Sequence, residues 1–327
     1  MNIILALAGG FVLLVAGGEL LVRGAVRMAE RLGMSPLLVG LTIVGFGTST
    51  PELMTSVQGA MQGSPGIAVG NIVGSNIANI LLILGIAALI SPITLTPSAL
   101  RRDGVLVLAT AVIFTGIAWW WTLDRVVGVL LVAGLVGYLV YAYRQEKQTA
   151  PVHTAAYDKG EALDELVTHH PKRHPRSKLL DLTIAGAQVV AGLVLVVFGG
   201  KYFVTGAIEL ARNFEISETV IGLTIVAVGT SMPELGTSVV AAYRKHSDVA
   251  LGNVLGSNIY NLLGIGGLTA MISPTDVPDQ ILGFDNPVMI AASVALLLFA
   301  WTSRRIGRRE GGLLLAGYAA YVLALVF

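Results

Sequence analysis

The sequence predicts an all-α membrane protein with ten transmembrane helices in two inverted five-helix repeats. Three observations carry this. The chain has 327 residues, 54% hydrophobic and 13% charged, with mean hydropathy +0.77; a soluble domain would carry about 25% charge. Apolar runs of about 20 residues recur along it, and each is long enough to cross ~30 Å of hydrocarbon as a helix. Second, the chain repeats itself. At an offset of 182 residues, Gly40–Ile93 lies on Gly222–Thr275 without a gap, and 30 of the 54 positions are identical. Third, Lys and Arg concentrate in alternate connections, as the positive-inside rule requires.

The spans expected are 3–22, 37–61, 68–90, 104–121, 125–143, 180–200, 219–243, 249–272, 287–303 and 311–327. The run from Ile3 to Val22 has no basic start and no clear cleavage site, so it reads as a first span and not as a signal peptide. Residues 1–143 form the first repeat, with its motif at 40–93. Residues 180–327 form the second, with its motif at 222–275. Between them, 144–179 is polar and mixed in charge and reads as a solvated cytoplasmic linker. Within it, "DKGEALDE" at 158–165 lacks the alternating spacing of a calcium loop and is assigned to solvated linker. Trp119–Trp121 reads as an aromatic belt, and Glu19 and Lys201, at equivalent positions, as interfacial anchors.

Five spans is an odd number, so the second repeat must enter the membrane from the opposite side. With the N-terminus outside, 18 of the 21 basic residues fall inside; Arg125, Lys201 and Arg212 do not. The bias also flips between equivalent loops. Arg23, Arg27 and Arg31 follow span one, while the counterpart near 205–213 has Thr205, Glu209 and Asn213. Both termini are therefore expected outside. Inverted repeats typify secondary transporters, whose sites lie near the midplane on interrupted helices.

The chemistry lies in "GTSTPELMTSV" (47–57) and "GTSMPELGTSV" (229–239), each inside an apolar span. Pro51 and Pro233 remove a backbone donor and free a carbonyl four residues earlier, at Gly47 and Gly229. In lipid, such a carbonyl must face protein, water or an ion. Thr48, Ser49 and Glu52 add oxygens at the break, and Thr230, Ser231 and Glu234 repeat them. In the next span Ser75 and Asn79 are i, i+4 neighbours, matched by Ser257 and Asn261. Hydroxyls, amides, carbonyls and two carboxylates make an all-oxygen set, which suits hard cations such as Ca²⁺, Na⁺, Mg²⁺ or Mn²⁺. Two carboxylates at one site raise each other's pKa unless a cation neutralises them. Their charge balances one Ca²⁺ or two Na⁺, and that equivalence permits exchange. Asn76 and Asn258 are read as helix cross-links more than as ligands, and Gly70, Gly74, Gly252 and Gly256 as packing residues.

Several classes are disfavoured. The chain has no cysteine, so there is no disulfide framework and no thiolate site. Its five histidines all fall in polar connections, so an HExxH metalloprotease within the membrane is not supported. An intramembrane hydrolase using Ser49 or Ser231 would lack a His or Lys base, and the protein is not expected to be an enzyme.

At "GTSTPE…GNIVGSNIANI" and "GTSMPE…GNVLGSNIYNL" the chain resembles the cation/calcium exchanger superfamily, in its prokaryotic sodium/calcium exchanger branch. The likeness covers nearly the whole chain. It implies a ten-helix fold in which spans 2, 3, 7 and 8 form the ion core and spans 1 and 6 slide across it. It implies the ligands Thr48, Ser49, Glu52, Ser75, Asn79, Thr230, Ser231, Glu234, Ser257 and Asn261, completed by the backbone carbonyls of Gly45 and Ala227. Some members carry Asp where Asn261 stands here, which disfavours K⁺ co-transport and leaves the Na⁺ stoichiometry open. The short linker also argues against the large regulatory domain of animal relatives.

The function expected is Na⁺/Ca²⁺ antiport by alternating access, with H⁺ exchange for Ca²⁺ or another divalent cation at the same glutamates as the alternative. A passive channel is separated from both by a gradient-coupling test. No cofactor is expected beyond the transported Ca²⁺ and Na⁺. The only other partner expected is the lipid bilayer, with no nucleic acid; a monomer is expected to suffice, in the cytoplasmic (inner) membrane.

Overall fold

The computed structural model describes residues 2–32, 34, 39, 42–43, 45–94, 100–148, 155, 157, 159, 178–303 and 305–327. The fold is almost entirely helical. In chain order it has α1 (Ile3–Arg31), the short α2 (Gly45–Thr48), α3 (Thr50–Met61) and α4 (Pro65–Ile90). Then come α5 (Val105–Trp120), α6 (Arg125–Gln148), α7 (Lys178–Asn213), α8 (Glu218–Thr230) and α9 (Met232–Tyr243). The helical path 247–272 forms α10, and α11 (Asn286–Ser303) and α12 (Arg308–Val326) follow. A two-residue antiparallel ribbon, Ile93–Thr94 with Arg305–Ile306, ties the end of α4 to the α11–α12 turn.

Among the described residues, seven helices are long and apolar enough to cross a membrane, or eight if the bent pair α8–α9 is one span. The expected spans 37–61 and 249–272 are not among them. Most of 37–44 lies outside the described residues. Helix α10 is continuous, but Asn253, Ser257, Asn258 and Asn261 dilute its apolar face. Most of the linker, including 160–165 and four of the five histidines, also lies outside the described residues.

Helix α4 sits at the centre. Its most apolar window is 83% buried, against 22–39% for the other six spans. The main core runs from α4 through α5, α6, α10, α11 and α12, around Ile77, Leu84, Phe114, Ile259 and Tyr260. The outer helices turn Val126, Leu130, Val190 and Leu193 outward. On a membrane protein these are lipid-facing positions. Trp119, Trp120 and Trp121 are exposed at the end of α5, as an interfacial belt requires.

Helices α1 and α7 pair along most of their length in antiparallel sense. Glycines set their separation at seven-residue intervals. A Cβ on Gly10 would fall 2.5 Å from the Phe203 nitrogen, one on Gly17 2.8 Å from Val196, and one on Gly24 2.7 Å from the Ala185 carbonyl. On the facing helix, Gly192, Gly199 and Gly206 approach Leu21, Leu14 and Ala6. The two sets are equivalent at the 182-residue offset. Two equivalent helices in antiparallel contact are what opposite insertion of the repeats would produce. Ion pairing of Arg31 with Asp181 and a 3.1 Å hydrogen bond from Arg27 to Gln188 hold one end of the seam.

Candidate cation site at the two helix breaks

Both Pro-Glu segments break their helices at the same place. Between α2 and α3, Ser49 takes φ −87° and ψ 9°; between α8 and α9, Ser231 takes φ −83° and ψ 9°. Helices α8 and α9 meet at 48°. Pro51 and Pro233 stand in the first turn of the second half, where a missing N–H costs nothing. Glu52 and Glu234 follow in the same turns, where the helix dipole and free N–H groups favour a negative charge.

The breaks face each other. Ser231 Oγ donates to Glu52 Oε1 at 3.2 Å, and Ser49 Oγ donates to Glu234 Oε1 at 3.4 Å. Each glutamate is thus held by the serine of the other repeat. Both are 1% exposed. All twelve residues expected at the site are buried: Gly45, Thr48, Ser49, Glu52, Ser75, Asn79, Ala227, Thr230, Ser231, Glu234, Ser257 and Asn261. Ser75 Oγ donates to the Ala227 carbonyl at 3.5 Å, and Thr230 Oγ1 lies 3.2 Å from the same oxygen.

Several of these groups have unused capacity. Among the described residues, Glu52 Oε2, Glu234 Oε2, Asn79 Oδ1 and both amide atoms of Asn261 are buried without a hydrogen-bond partner. A buried polar atom left unpaired costs about 1–3 kcal/mol. Oxygens in that condition, beside two carboxylates, fit a bound cation of the hard class.

Two residues not singled out from the sequence brace the backbone at the two glutamates. Asn71 Nδ2 donates to the Glu52 carbonyl at 3.0 Å and to Ser56 Oγ at 2.8 Å. Asn253 does the same to the Glu234 carbonyl at 3.1 Å and Ser238 Oγ at 2.8 Å. Their signal was their identity at the 182-residue offset. Asn258 acts as a cross-link: Asn79 Nδ2 donates to Asn258 Oδ1 at 3.0 Å, and Asn258 Nδ2 donates to the Asn76 backbone carbonyl at 3.4 Å, while the Asn76 side chain donates to Ile72 O in its own helix at 2.8 Å. Glu19 pairs with Arg23 at the surface and Lys201 is exposed, so neither joins the site.

One linker residue departs from expectation. Lys159, assigned to solvated linker, is fully buried. Its Nζ donates to Ser49 Oγ at 3.1 Å, to Ser257 Oγ, and to Glu234 Oε1 at 3.4 Å, and lies 5.6 Å from the centre of the Tyr260 ring. The physical reason is charge. Two carboxylates in a dry site attract the nearest available cation, and a buried ammonium is tolerated only where anions and oxygens surround it.

The chain is similar to known proteins along nearly its whole length. The sodium/calcium exchanger protein family matches residues 2–144 and 184–327. The chain is 37% identical to the sodium/calcium exchanger MaX1 of Methanosarcina acetivorans, covering 97% of each chain. It is 32% identical to the inner membrane protein YrbG of Escherichia coli, over 97% of this chain and 94% of that one. Its fold matches a solved structure of the sodium-calcium exchanger NCX_Mj soaked with Na⁺, with TM-score 0.61, 30% identity and 99% coverage of both chains.

Proposed function

This chain belongs to the sodium/calcium exchanger family, and on that premise we propose that it exchanges Na⁺ for Ca²⁺ across the cytoplasmic membrane by alternating access. The observation that carries the reading is the crossed pair of serine–glutamate hydrogen bonds, which bring two carboxylates from separate repeats to one buried place.

In this mechanism Glu52 and Glu234 supply the charge that one Ca²⁺ neutralises. The hydroxyls of Thr48, Ser49, Ser75, Thr230, Ser231 and Ser257, the amides of Asn79 and Asn261, and the carbonyls of Gly45 and Ala227 complete its oxygen shell. Na⁺ ions entering the same oxygens displace Ca²⁺, because an uncompensated pair of buried carboxylates is too costly to persist. Ten spans in two inverted repeats, with both termini outside and 144–179 cytoplasmic, give the site a symmetric exit to either face. The pair α1–α7 is the moving part. Gly18 and Gly200, equivalent in the repeats, turn toward Thr50 and Pro51 and toward Met54 and Gln58 on the helix bearing Glu52. Such a smooth contact lets one layer slide over another. The working unit is a monomer in the lipid bilayer, with no cofactor.

Proteoliposomes loaded with Na⁺ and diluted into Ca²⁺ test this. Uptake is expected to follow the outward Na⁺ gradient and to be indifferent to an imposed pH gradient. Uptake driven by the pH gradient alone would instead establish H⁺/Ca²⁺ exchange. Uptake that needs no opposing gradient would make the protein a passive conduit.

A further inference from the structure

Just before α11 stands a carboxylate that the exchange mechanism does not use. Asp285 lies on the wide helical turn Ile281–Asp285 that leads into α11, and it is fully buried. Tyr321 on α12 donates to its Oδ1 at 2.9 Å. Its Oδ2 has no hydrogen-bond partner among the described residues. Two neighbouring residues are in the same condition: both amide atoms of the buried Asn286, and the hydroxyl of Tyr318, whose ring lies 6.3 Å from that of Tyr321.

The other repeat shows what is missing. At the 182-residue offset Asp285 corresponds to Asp103, on the equivalent wide turn Leu100–Gly104. There Arg102 donates to both carboxylate oxygens, at 3.1 and 2.9 Å. The counterpart of Arg102 is Phe284, whose ring stacks on Tyr321 at 6.1 Å and brings no charge. Nor do the surrounding elements bring one. The turn packs against α4, α5 and α11, and residues 65–90, 105–120 and 286–303 contain no Lys, Arg, His, Asp or Glu. On α12 the charged residues are Arg308, Arg309 and Glu310, and even Glu310 is eleven residues, about 16 Å along the helix, from Tyr321. Asp276 and Asp279, just before the turn, are exposed.

A lone buried carboxylate without a counter-charge is neutralised rather than left ionised, and an ionisable side chain at membrane depth marks an ion or proton position. We infer that Asp285 is a proton-binding site separate from the glutamate pair: its Oδ2 carries the proton while Tyr321 holds Oδ1. A single carboxylate calls for a single positive charge, and a proton supplies it on Oδ2 itself without further ligands. Both α11 and α12 pack against residues 79–83 of α4, which begin with the proposed ligand Asn79. Loss of the proton places an unpaired charge in that packing, so exchange slows as protons become scarce. In the topology proposed above the turn lies toward the outer face, and the site answers to outer pH.

Two measurements test it. Infrared spectra of the purified protein at neutral pH in saturating Ca²⁺ read the proton directly, with the two glutamates engaged by the metal. The carbonyl band of a protonated carboxyl is expected in the unsubstituted protein, lost in Asp285→Asn, and moved to higher frequency in Tyr321→Phe, which lacks the hydrogen bond to Oδ1. Identical carboxyl bands in the unsubstituted protein and Asp285→Asn would overturn the proposal. A carboxylate band that shifts with Na⁺ and is lost in Asp285→Asn would also overturn it, making Asp285 a Na⁺ ligand. The second measurement, which rests on the exchange proposed above, is Ca²⁺ uptake into Na⁺-loaded proteoliposomes across a pH series, with equal pH on both faces. One pH unit above the midpoint the unsubstituted protein is expected to keep about a tenth of its maximal rate, since about one site in ten stays protonated. Asp285→Asn cannot ionise and is expected to lose this alkaline fall. A fall shared by both proteins, or absent from both, would overturn control of exchange by this proton. If neither protein transports Ca²⁺ yet the carboxyl band is lost in Asp285→Asn, the exchange reading fails and the proton site stands.

Discussion

A carboxylate inside a membrane protein must be neutralised, solvated or bonded on every side, and Glu52 and Glu234 receive only part of this from the protein. Each accepts one serine hydroxyl at Oε1 and keeps Oε2 free among the described residues. Glu52→Gln and Glu234→Gln should therefore each lower Ca²⁺ affinity by more than about 100-fold, because losing a residue that only hydrogen-bonds a metal ligand already costs about 10–100-fold. Glu52→Gln should melt higher than the unsubstituted protein in ion-free buffer, since it removes a buried charge that no ion pair compensates, whereas Glu234→Gln takes the carboxylate from the buried Lys159 ammonium and should melt lower; both should lose the Ca²⁺-dependent rise in melting temperature. A thermal-shift series with and without Ca²⁺ reads both effects. Asn71→Ala removes three hydrogen bonds, to the Glu52 carbonyl, Ser56 Oγ and Thr230 Oγ1, and Asn253→Ala removes two. Each should destabilise the protein by about 1–3 kcal/mol through the carbonyl and hydroxyl left unpaired, measured as a fall in melting temperature.

The carboxylates and hydroxyls were legible in the sequence because the chain writes them twice, each beside a proline in an apolar segment. Asn71 and Asn253 were written twice as well, but an asparagine beside glycine in a helix carries no sign of which carbonyl it reaches. Lys159 was illegible for a different reason. It has no counterpart in the repeat, and a lysine among Asp, Gly and Glu is ordinarily solvated; only the unmet charge of two distant glutamates draws it inward.

At the scale of elements, breaks and seams decide what moves. The breaks at Ser49 and Ser231 followed from proline geometry. The glycine seam between α1 and α7 did not follow, because a glycine in an apolar helix tells nothing about its neighbour until the pairing is known. Substitution separates the two kinds of glycine. Gly199→Leu places side-chain atoms into backbone 2.7 Å away, at Leu14, and should separate the pair, with loss of folded protein in fluorescence-detected size exclusion. Gly236, where an added Cβ would meet no atom within 4 Å, is the control: Gly236→Ala should be neutral or stabilise its helix by up to about 1 kcal/mol.

Across the whole molecule, the two repeats are expected to run in opposite directions through the membrane. Antiparallel packing of the equivalent helices α1 and α7, and identical braces at the two glutamates, are the architectural support. The alternation of basic residues made the orientation readable, while the number of spans is masked where polar ligands thin the apolar signal of α10. Single cysteines in the cysteine-free chain give the orientation directly. Asn2→Cys and Phe327→Cys should react with an impermeant maleimide on intact cells, and Gln145→Cys only after permeabilisation. Labelling of the two termini from opposite sides would break the inverted arrangement.

Equilibrium binding of radioactive Ca²⁺ to the purified protein, titrated with Na⁺, reads the shared site itself. One Ca²⁺ per chain is expected, displaced by Na⁺ with a Hill coefficient above one, and abolished by Glu52→Gln and by Glu234→Gln separately. Ca²⁺ binding that survives either substitution at full affinity would contradict a site shared by the two glutamates.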